Sequence, residues 1–163
     1  MKSPQRVLIT GAGSGLGQAL AHRFAAAGAQ VACVDIHLDR VQATMATLTG
    51  EGHAAYAADV GSDDAMEALA ESVLANWGVP DVLINNAAMG DSGSLAEVDM
   101  DRVRQLFEVN LFATLELTQV ALRQMIERES GTVLFISSIA GRVPMPFLMP
   151  YSMSKFALSP AAA

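Results

Sequence analysis

Residues 6–17 read Arg-Val-Leu-Ile-Thr-Gly-Ala-Gly-Ser-Gly-Leu-Gly, and this stretch decides how the chain folds. Its first part, Arg6–Thr10, is an apolar run that predicts a buried strand. Gly11, Gly15 and Gly17 follow, and the apolar residues there recur at helical spacing: Leu16, Leu20 and Phe24. Glycines between a strand and a helix allow a tight turn whose backbone N–H groups can approach a pyrophosphate. The alternative is an ordinary glycine-rich turn that binds nothing.

Short apolar runs alternate with segments of helical periodicity along the rest of the chain. In residues 62–77 the apolar side chains recur on one helical face, and the longest such pattern runs from Asp99 to about Arg128. Strands that alternate with helices favour right-handed βαβ units and a parallel sheet covered on both faces. We therefore predict one α/β domain over residues 1–163 with a doubly wound parallel sheet. Its predicted strands are Arg6–Thr10, Gln30–Asp35, His53–Ala58, Asp81–Asn85 and Thr132–Ser138.

Composition limits the class of protein. Hydrophobic residues make up 52% of the 163 residues and charged residues 17%, which excludes a disordered chain. No apolar run approaches the ~20 residues of a membrane span, and the opening residues lack the apolar core of a signal peptide. A net charge of −7 disfavours nucleic-acid binding. The single cysteine and three scattered histidines predict no disulfide and no metal site. We expect a cytoplasmic protein without membrane or nucleic-acid partners.

Asp35 ends the second predicted strand, 18 positions after Gly17. A carboxylate at this point can accept hydrogen bonds from both ribose hydroxyls of an adenosine, and it repels a 2′-phosphate. Neither Ser14 nor Ile36 offers a positive charge to that phosphate, although His37 is close in sequence. The pattern therefore favours NAD over NADP as the cofactor. A solvated loop carboxylate is the alternative interpretation.

The Gly-x-x-x-Gly-x-Gly spacing resembles that of the short-chain dehydrogenase/reductase family. Asp59-Val60 is similar to the family's adenine-contacting pair, and residues 85–88 (Asn-Asn-Ala-Ala) resemble its Asn-Asn-Ala-Gly signature, with Ala88 where the family has glycine. The resemblance extends from Arg6 to about Leu158 and implies a Rossmann-type topology. The residues expected to contact the cofactor are Gly11, Ser14, Gly15, Leu16, Gly17, Asp35, Asp59, Val60, Asn86, Tyr151 and Lys155.

Tyr151 and Lys155 are four residues apart and share one face of a predicted helix. Ser138 precedes Tyr151 by 13 residues, a spacing that the resemblance associates with a catalytic group at the carboxyl ends of the strands. A phenol with a pKa near 10 is a poor base at neutral pH, and a nearby ammonium lowers that pKa. The resemblance thus implies that Tyr151 is the acid/base, that Lys155 tunes it and holds the nicotinamide ribose, and that Ser138 binds the substrate oxygen.

Asn110 lies among apolar residues on the inner side of the predicted long helix, where an amide must find partners. One interpretation is a structural asparagine that ties a helix irregularity to a neighbouring strand. The resemblance implies a second role, in which Asn110 holds a water that links the lysine to solvent. The two roles are compatible.

Members of the family are longer, so the resemblance implies that the last strands of the sheet and the substrate lid are missing. Pro160 predicts that the last helix ends near Ser159. The fifth strand is apolar on both faces, as a central strand is, and becomes an edge if nothing follows it. One hypothesis is an NAD-dependent oxidoreductase, forming a homo-oligomer, that interconverts a small secondary alcohol and a ketone. The other is a catalytically incompetent dinucleotide-binding or interaction module.

Overall fold

The computed structural model describes residues 5–162, so the predictions for the first four residues and for Ala163 lie outside the described residues. Within these residues, five strands occur in the order that the sequence predicts, and six α-helices lie among them. The strands are β1 Arg6–Thr10, β2 Gln30–Asp35, β3 Ala54–Ala57, β4 Val82–Asn85 and β5 Thr132–Phe135. The helices are α1 Gly15–Ala26, α2 Leu38–Ala46, α3 Asp63–Asn76, α4 Met100–Phe107, α5 Ala113–Glu127 and α6 Met149–Ala157.

The strands form one parallel sheet in the order β3-β2-β1-β4-β5. In the register of the sheet, Leu8 of β1 lies opposite Ala32 of β2 and Leu83 of β4. The chain runs outward from β1 to one edge and then returns to continue past β1 to the other edge. The doubly wound parallel α/β fold predicted from the sequence is therefore confirmed, with β5 as an edge strand.

Two apolar layers enclose the sheet because neighbouring residues of a strand point to opposite faces. Leu8 packs in the layer that α3 and α5 cover, whereas Val7 and Ile9 pack in the layer that α1 and α2 cover. No helix in residues 5–162 has the length and apolar character that crossing a membrane requires.

Strand ends differ from the prediction at four places. The predicted Ala58 follows β3, although its amide still donates to the Asp35 carbonyl (3.0 Å). The predicted His53 stays outside β3 because its ring Nδ1 accepts a hydrogen bond from the Val31 amide (3.1 Å), in place of a backbone partner. Asp81 precedes β4, although its backbone still pairs with Arg6 and Thr132. β5 stops at Phe135 because Lys155 takes the carbonyl of Ile136, and the next residues turn into a short 3₁₀ segment at Ile139–Gly141.

The long helical pattern from Asp99 to Arg128 is interrupted. A π-helical turn, Glu108–Phe112, lies between α4 and α5, and Asn110 is buried within it. Such a turn inserts one extra residue and redirects the side chains around it, and these turns occur often at functional sites. At the other end of the chain α6 stops at Ala157, close to the predicted end, and a 3₁₀ turn at Ser159–Ala162 contains Pro160.

Candidate active site

The glycine turn after β1 needs glycine at several positions. Gly11 and Gly15 have φ angles of +66° and +54°, which L-residues with side chains rarely adopt. A Cβ at Gly17 would overlap the carbonyl oxygen of Gly11, so the first turn of α1 packs directly against the loop. A Cβ at Gly15 would meet no atom within 4 Å, so this part of the loop faces open space. The turn can therefore present its backbone to a ligand.

The Asp35 carboxylate is fixed beside this turn. Its Oδ2 accepts a hydrogen bond from the Gly13 amide (3.1 Å) and its Oδ1 accepts one from the His37 amide (3.2 Å). Arg40 also borders Gly13, since a Cβ at Gly13 would lie 2.8 Å from both the Arg40 Cβ and the Asp35 Oδ2. Arg40 was not predicted from the sequence, although its place in the first turn of α2, shortly after Asp35, could have indicated it.

Asn86 joins β1 to the segment after β4. Its side-chain Nδ2 donates to the carbonyl oxygens of Thr10 (2.9 Å) and Gly11 (3.2 Å). The hydroxyl of Thr10 in turn accepts hydrogen bonds from the amides of Asn86 and Ala87, both at 3.0 Å. Both protons of the Asn86 amide group are thus used to hold the glycine turn in place. Thr10 contributes both its carbonyl and its hydroxyl to this link, and the sequence did not predict that role.

A cleft of about 500 Å³ opens where these elements meet, at the carboxyl ends of the strands. Predicted cofactor residues in its walls are Gly11, Ser14, Gly15, Leu16, Asp35, Asp59, Val60 and Asn86. Gly17, Tyr151 and Lys155 were also predicted but are not among the lining residues. The walls contain further residues that the sequence analysis did not assign to the cofactor: Ile36, Ala58, Ala87, Ala88, Met89, Gln105 and Val109. Gln105 and Val109 reach the cleft because α4 and the π-helical turn pass beside it.

Lys155 and Tyr151 lie together on α6, as their spacing predicts. The Nζ of Lys155 is 5.8 Å from the centroid of the Tyr151 ring and donates a hydrogen bond to the Ile136 carbonyl (2.9 Å). Lys155 is only 3% exposed, and this burial lowers the pKa of its ammonium because the charged form is poorly solvated. The hydrogen bond to the Ile136 carbonyl offsets part of the solvation that the ammonium loses on burial.

Ser138 is held in an extended conformation at the start of the 3₁₀ segment. Its Oγ accepts a hydrogen bond from the Ala140 amide (3.2 Å), which leaves the hydroxyl proton free to donate. The segment packs tightly on α6, since a Cβ at Gly141 would lie 2.8 Å from the Lys155 carbonyl oxygen. The strand end that carries Ser138 and the helix that carries Tyr151 are therefore neighbours.

Asn110 is completely buried, and protein groups bind its amide on every side. Its Oδ1 accepts from the Met89 amide (2.7 Å), and its Nδ2 donates to the Met89 carbonyl (2.9 Å) and to Ser154 Oγ (3.0 Å). Asn110 therefore ties the π-helical turn to Met89, in the segment that follows β4, and not to a strand as predicted. Asn110 makes no direct hydrogen bond to Lys155 in the described part of the chain.

The topology and the glycine turn define the chain as an α/β protein of the dinucleotide-binding class. The family model described as short chain dehydrogenase matches residues 5–161. The chain therefore belongs to the short chain dehydrogenase family of oxidoreductases, and the resemblance noted in the sequence is confirmed.

Individual relatives agree with this assignment. The chain is 36% identical over 156 residues to a short chain dehydrogenase of Pseudocercospora fijiensis, covering 93% of this chain and 50% of the relative. It is similar to the solved structure of an NAD⁺-bound xylitol dehydrogenase, with a TM-score of 0.88, 29% identity, and 94% of this chain and 60% of that one covered. An actinorhodin polyketide ketoreductase with NADPH gives a TM-score of 0.91, 30% identity, and 97% and 62% coverage. The chain thus spans about half the length of the curated relative that it matches.

Proposed function

We propose that this chain carries the cofactor cleft and the catalytic side chains of an NAD-dependent oxidoreductase that interconverts a small secondary alcohol and a ketone. The observation that carries the proposal is the buried Lys155 ammonium beside the Tyr151 ring, on a helix packed against the strand end of Ser138. The proposal treats residues 1–163 as a single dinucleotide-binding domain that includes the catalytic motif.

The cleft fits a dinucleotide. Its size, the open space beside Gly15 and the backbone amides at the start of α1 suit a pyrophosphate bound at a helix N-terminus. We assign the pyrophosphate to Gly11, Ser14, Gly15, Leu16 and, through helix packing, Gly17. Asp59 and Val60 would hold the adenine, and Asn86 would keep the loop in shape.

Asp35 supports NAD rather than NADP. Two backbone amides fix its carboxylate, so it cannot easily turn away from a 2′-phosphate, and the negative charges would repel each other. Solved relatives carry either cofactor, since the xylitol dehydrogenase is NAD⁺-bound and the polyketide ketoreductase is with NADPH. Arg40, which borders Gly13, is a cation near Asp35 that was not weighed against NAD on sequence grounds.

A bound nicotinamide would accept or donate the hydride. In oxidation the Oη of Tyr151 would take the proton from the alcohol oxygen, and in reduction it would return that proton. The Lys155 ammonium would lie beside the Tyr151 ring and, with two protons left after its bond to Ile136, would hold the nicotinamide ribose. Ser138 would donate its free proton to the substrate oxygen and orient it. Asn110 would serve the proton relay behind the lysine.

The second candidate is a binding module without turnover. Tyr151 and Lys155 do not line the cleft, and β5 is an edge strand of the sheet that residues 5–162 form. These observations favour a chain that binds the dinucleotide but cannot complete a substrate site alone.

The absorbance of NADH distinguishes the two functions. The full chain is mixed with NADH or NADPH and a panel of small ketones, and with the oxidised cofactors and the corresponding secondary alcohols. The proposal expects turnover of at least one pair, faster with NADH than with NADPH. Cofactor binding without turnover across the panel would favour the module, and absence of binding to either cofactor would overturn both functions.

We further propose that the protein acts in the cytoplasm and forms a homo-oligomer. Its single cysteine, Cys33, is buried and free, which suits a reducing compartment, and the β5 edge offers a surface for association. Fractionation of cells that express the full chain tests the location. Recovery in the membrane or secreted fraction would contradict it.

A further inference from the structure

Ser154 links two parts of the candidate active site. It precedes Lys155 on α6 and is completely buried. Its hydroxyl donates to the backbone carbonyl of Tyr151 (2.8 Å) and accepts from the Nδ2 of Asn110 (3.0 Å). The single hydroxyl proton is used inside α6, so a lone pair of the oxygen is available to the Asn110 donor.

Asn110 carries the connection on to the wall of the cleft. It binds both backbone groups of Met89, through Oδ1 to the amide and through Nδ2 to the carbonyl, and Met89 lines the cleft. Buried hydrogen bonds therefore run without interruption from the cleft wall through Asn110 and Ser154 to the backbone of Tyr151. The side chains of Asn110 and Ser154 are both short. The distance between Met89 and the backbone of Tyr151 can therefore vary little.

We propose that Ser154 is a positioning residue that sets the catalytic helix α6 against the wall of the cofactor cleft. The inference rests on the proposed function and deepens it. Among residues 5–162, the other α6 side chain that hydrogen-bonds to a different element is Lys155, on its long and flexible stem. Ser154 has one side-chain torsion, so it can fix the position of the helix where Lys155 cannot.

The expected consequence is kinetic. Proton and hydride transfer need the reacting atoms in near-attack geometry, and a displacement of about 1 Å can cost about 100-fold in rate. Without the Ser154 hydroxyl, a buried Asn110 N–H loses its acceptor and α6 loses its link to Met89. The residues that line the cleft lie outside α6, so cofactor affinity should change less than kcat.

Ser152 offers a matched control on the same helix. It is 5% exposed, and its hydroxyl has no hydrogen-bond partner. We expect Ser154→Ala to lower kcat at least about tenfold while the Kd for NADH changes less than about twofold. Ser152→Ala should change both less than about twofold. Equal losses of kcat in the two variants would overturn the proposal, because burial alone would then explain them.

A double-mutant cycle tests whether Ser154 acts through Asn110. If it does, Ser154→Ala adds no further loss of kcat in an Asn110→Ala background, since the link is already broken. Independent, additive losses would overturn the proposal. If Ser154→Ala does not fold, Ser154→Cys replaces it in every comparison, because a thiol keeps the volume and is a weak hydrogen-bond partner.

Hydrogen exchange separates this inference from the proposed function. Ser154→Ala should speed exchange at the Met89 amide, whose acceptor is Asn110, whereas Ser152→Ala should not. Faster exchange at Met89 would support the hydrogen-bonded link between Ser154 and Met89 even if the chain showed no turnover. Absence of turnover would count against the proposed function alone. Unchanged exchange at Met89 in Ser154→Ala would overturn the link, whatever the activity.

Discussion

At the residue scale, we propose that Asp35 is the side chain that governs which cofactor binds. Replacing Asp35 with alanine should narrow the preference for NADH over NADPH by about tenfold, equivalent to ~1.4 kcal/mol, because the repulsion of the 2′-phosphate is removed. Fluorescence titration of both cofactors measures the effect. Asp39→Ala removes the same charge from an exposed position on α2 and is the control. Equal affinities for the two cofactors in the unmodified chain would contradict the assignment.

Cys33 is a second residue with a measurable consequence. It has no solvent exposure, and burial raises the pKa of its thiol to about 12. We expect no reaction with a thiol reagent at pH 8 in the folded protein and rapid reaction in denaturant. Above pH ~9 the folded protein retains the Cys33 thiol proton that the unfolded chain loses. The contribution of Cys33 to the free energy of unfolding is therefore complete below pH ~9 and falls as the pH rises towards 12. Rapid labelling of the folded protein would contradict the burial.

The sequence predicted residues whose partners lie nearby in the chain. Tyr151 and Lys155 share a helix face because four residues make about one turn, and Asp35 follows from its place after a strand. It missed Thr10 and Ser154, whose contacts join elements far apart in sequence. The Asn110–Ser154 hydrogen bond, for example, spans 44 positions. Such contacts depend on how helices pack, and no local pattern records that.

At the scale of elements, α1 and α5 end in the same hydrogen-bonded motif with different residues. In α1 the left-handed position is Gly28 (φ +87°), and in α5 it is Glu129 (φ +53°). Glu129→Gly should therefore raise the free energy of unfolding by about 0.5–1 kcal/mol, whereas Gly28→Ala should lower it by a similar amount. Urea unfolding measures both. The same sign for the two substitutions would contradict the conformations found here.

Element types and the bounds of β1 and β2 followed from the apolar patterns, whereas the π-helical turn, both ends of β3, the start of β4 and the end of β5 did not. The π-helical turn at Glu108–Phe112 keeps the apolar spacing of a helix, so the sequence pattern did not reveal it. The one indication was an asparagine, Asn110, among apolar residues. β5 ends early because a side chain from α6, Lys155, occupies its next carbonyl. Tertiary contacts decide both features.

At the scale of the whole molecule, β5 leaves one edge of the sheet open. Leu134 is 43% exposed there, and the strand carries neither proline nor charge to prevent pairing with another chain. We expect the chain to self-associate through this edge and the adjacent α6. Light scattering should show that Leu134→Lys weakens the association, whereas Leu38→Lys, at 45% exposure on α2, does not. A stable monomer with fast amide exchange along residues 132–138 would refute the expectation.

The central claim is that the Tyr151 hydroxyl transfers the proton at a site that binds the dinucleotide independently. The most direct measurement follows NADH absorbance and NADH binding in the same samples of the unmodified chain and of Tyr151→Phe. We expect the variant to lose nearly all turnover of a substrate that the unmodified chain accepts, with its Kd for NADH changed less than about twofold. Turnover retained in Tyr151→Phe would contradict the claim, because another group would then carry the proton.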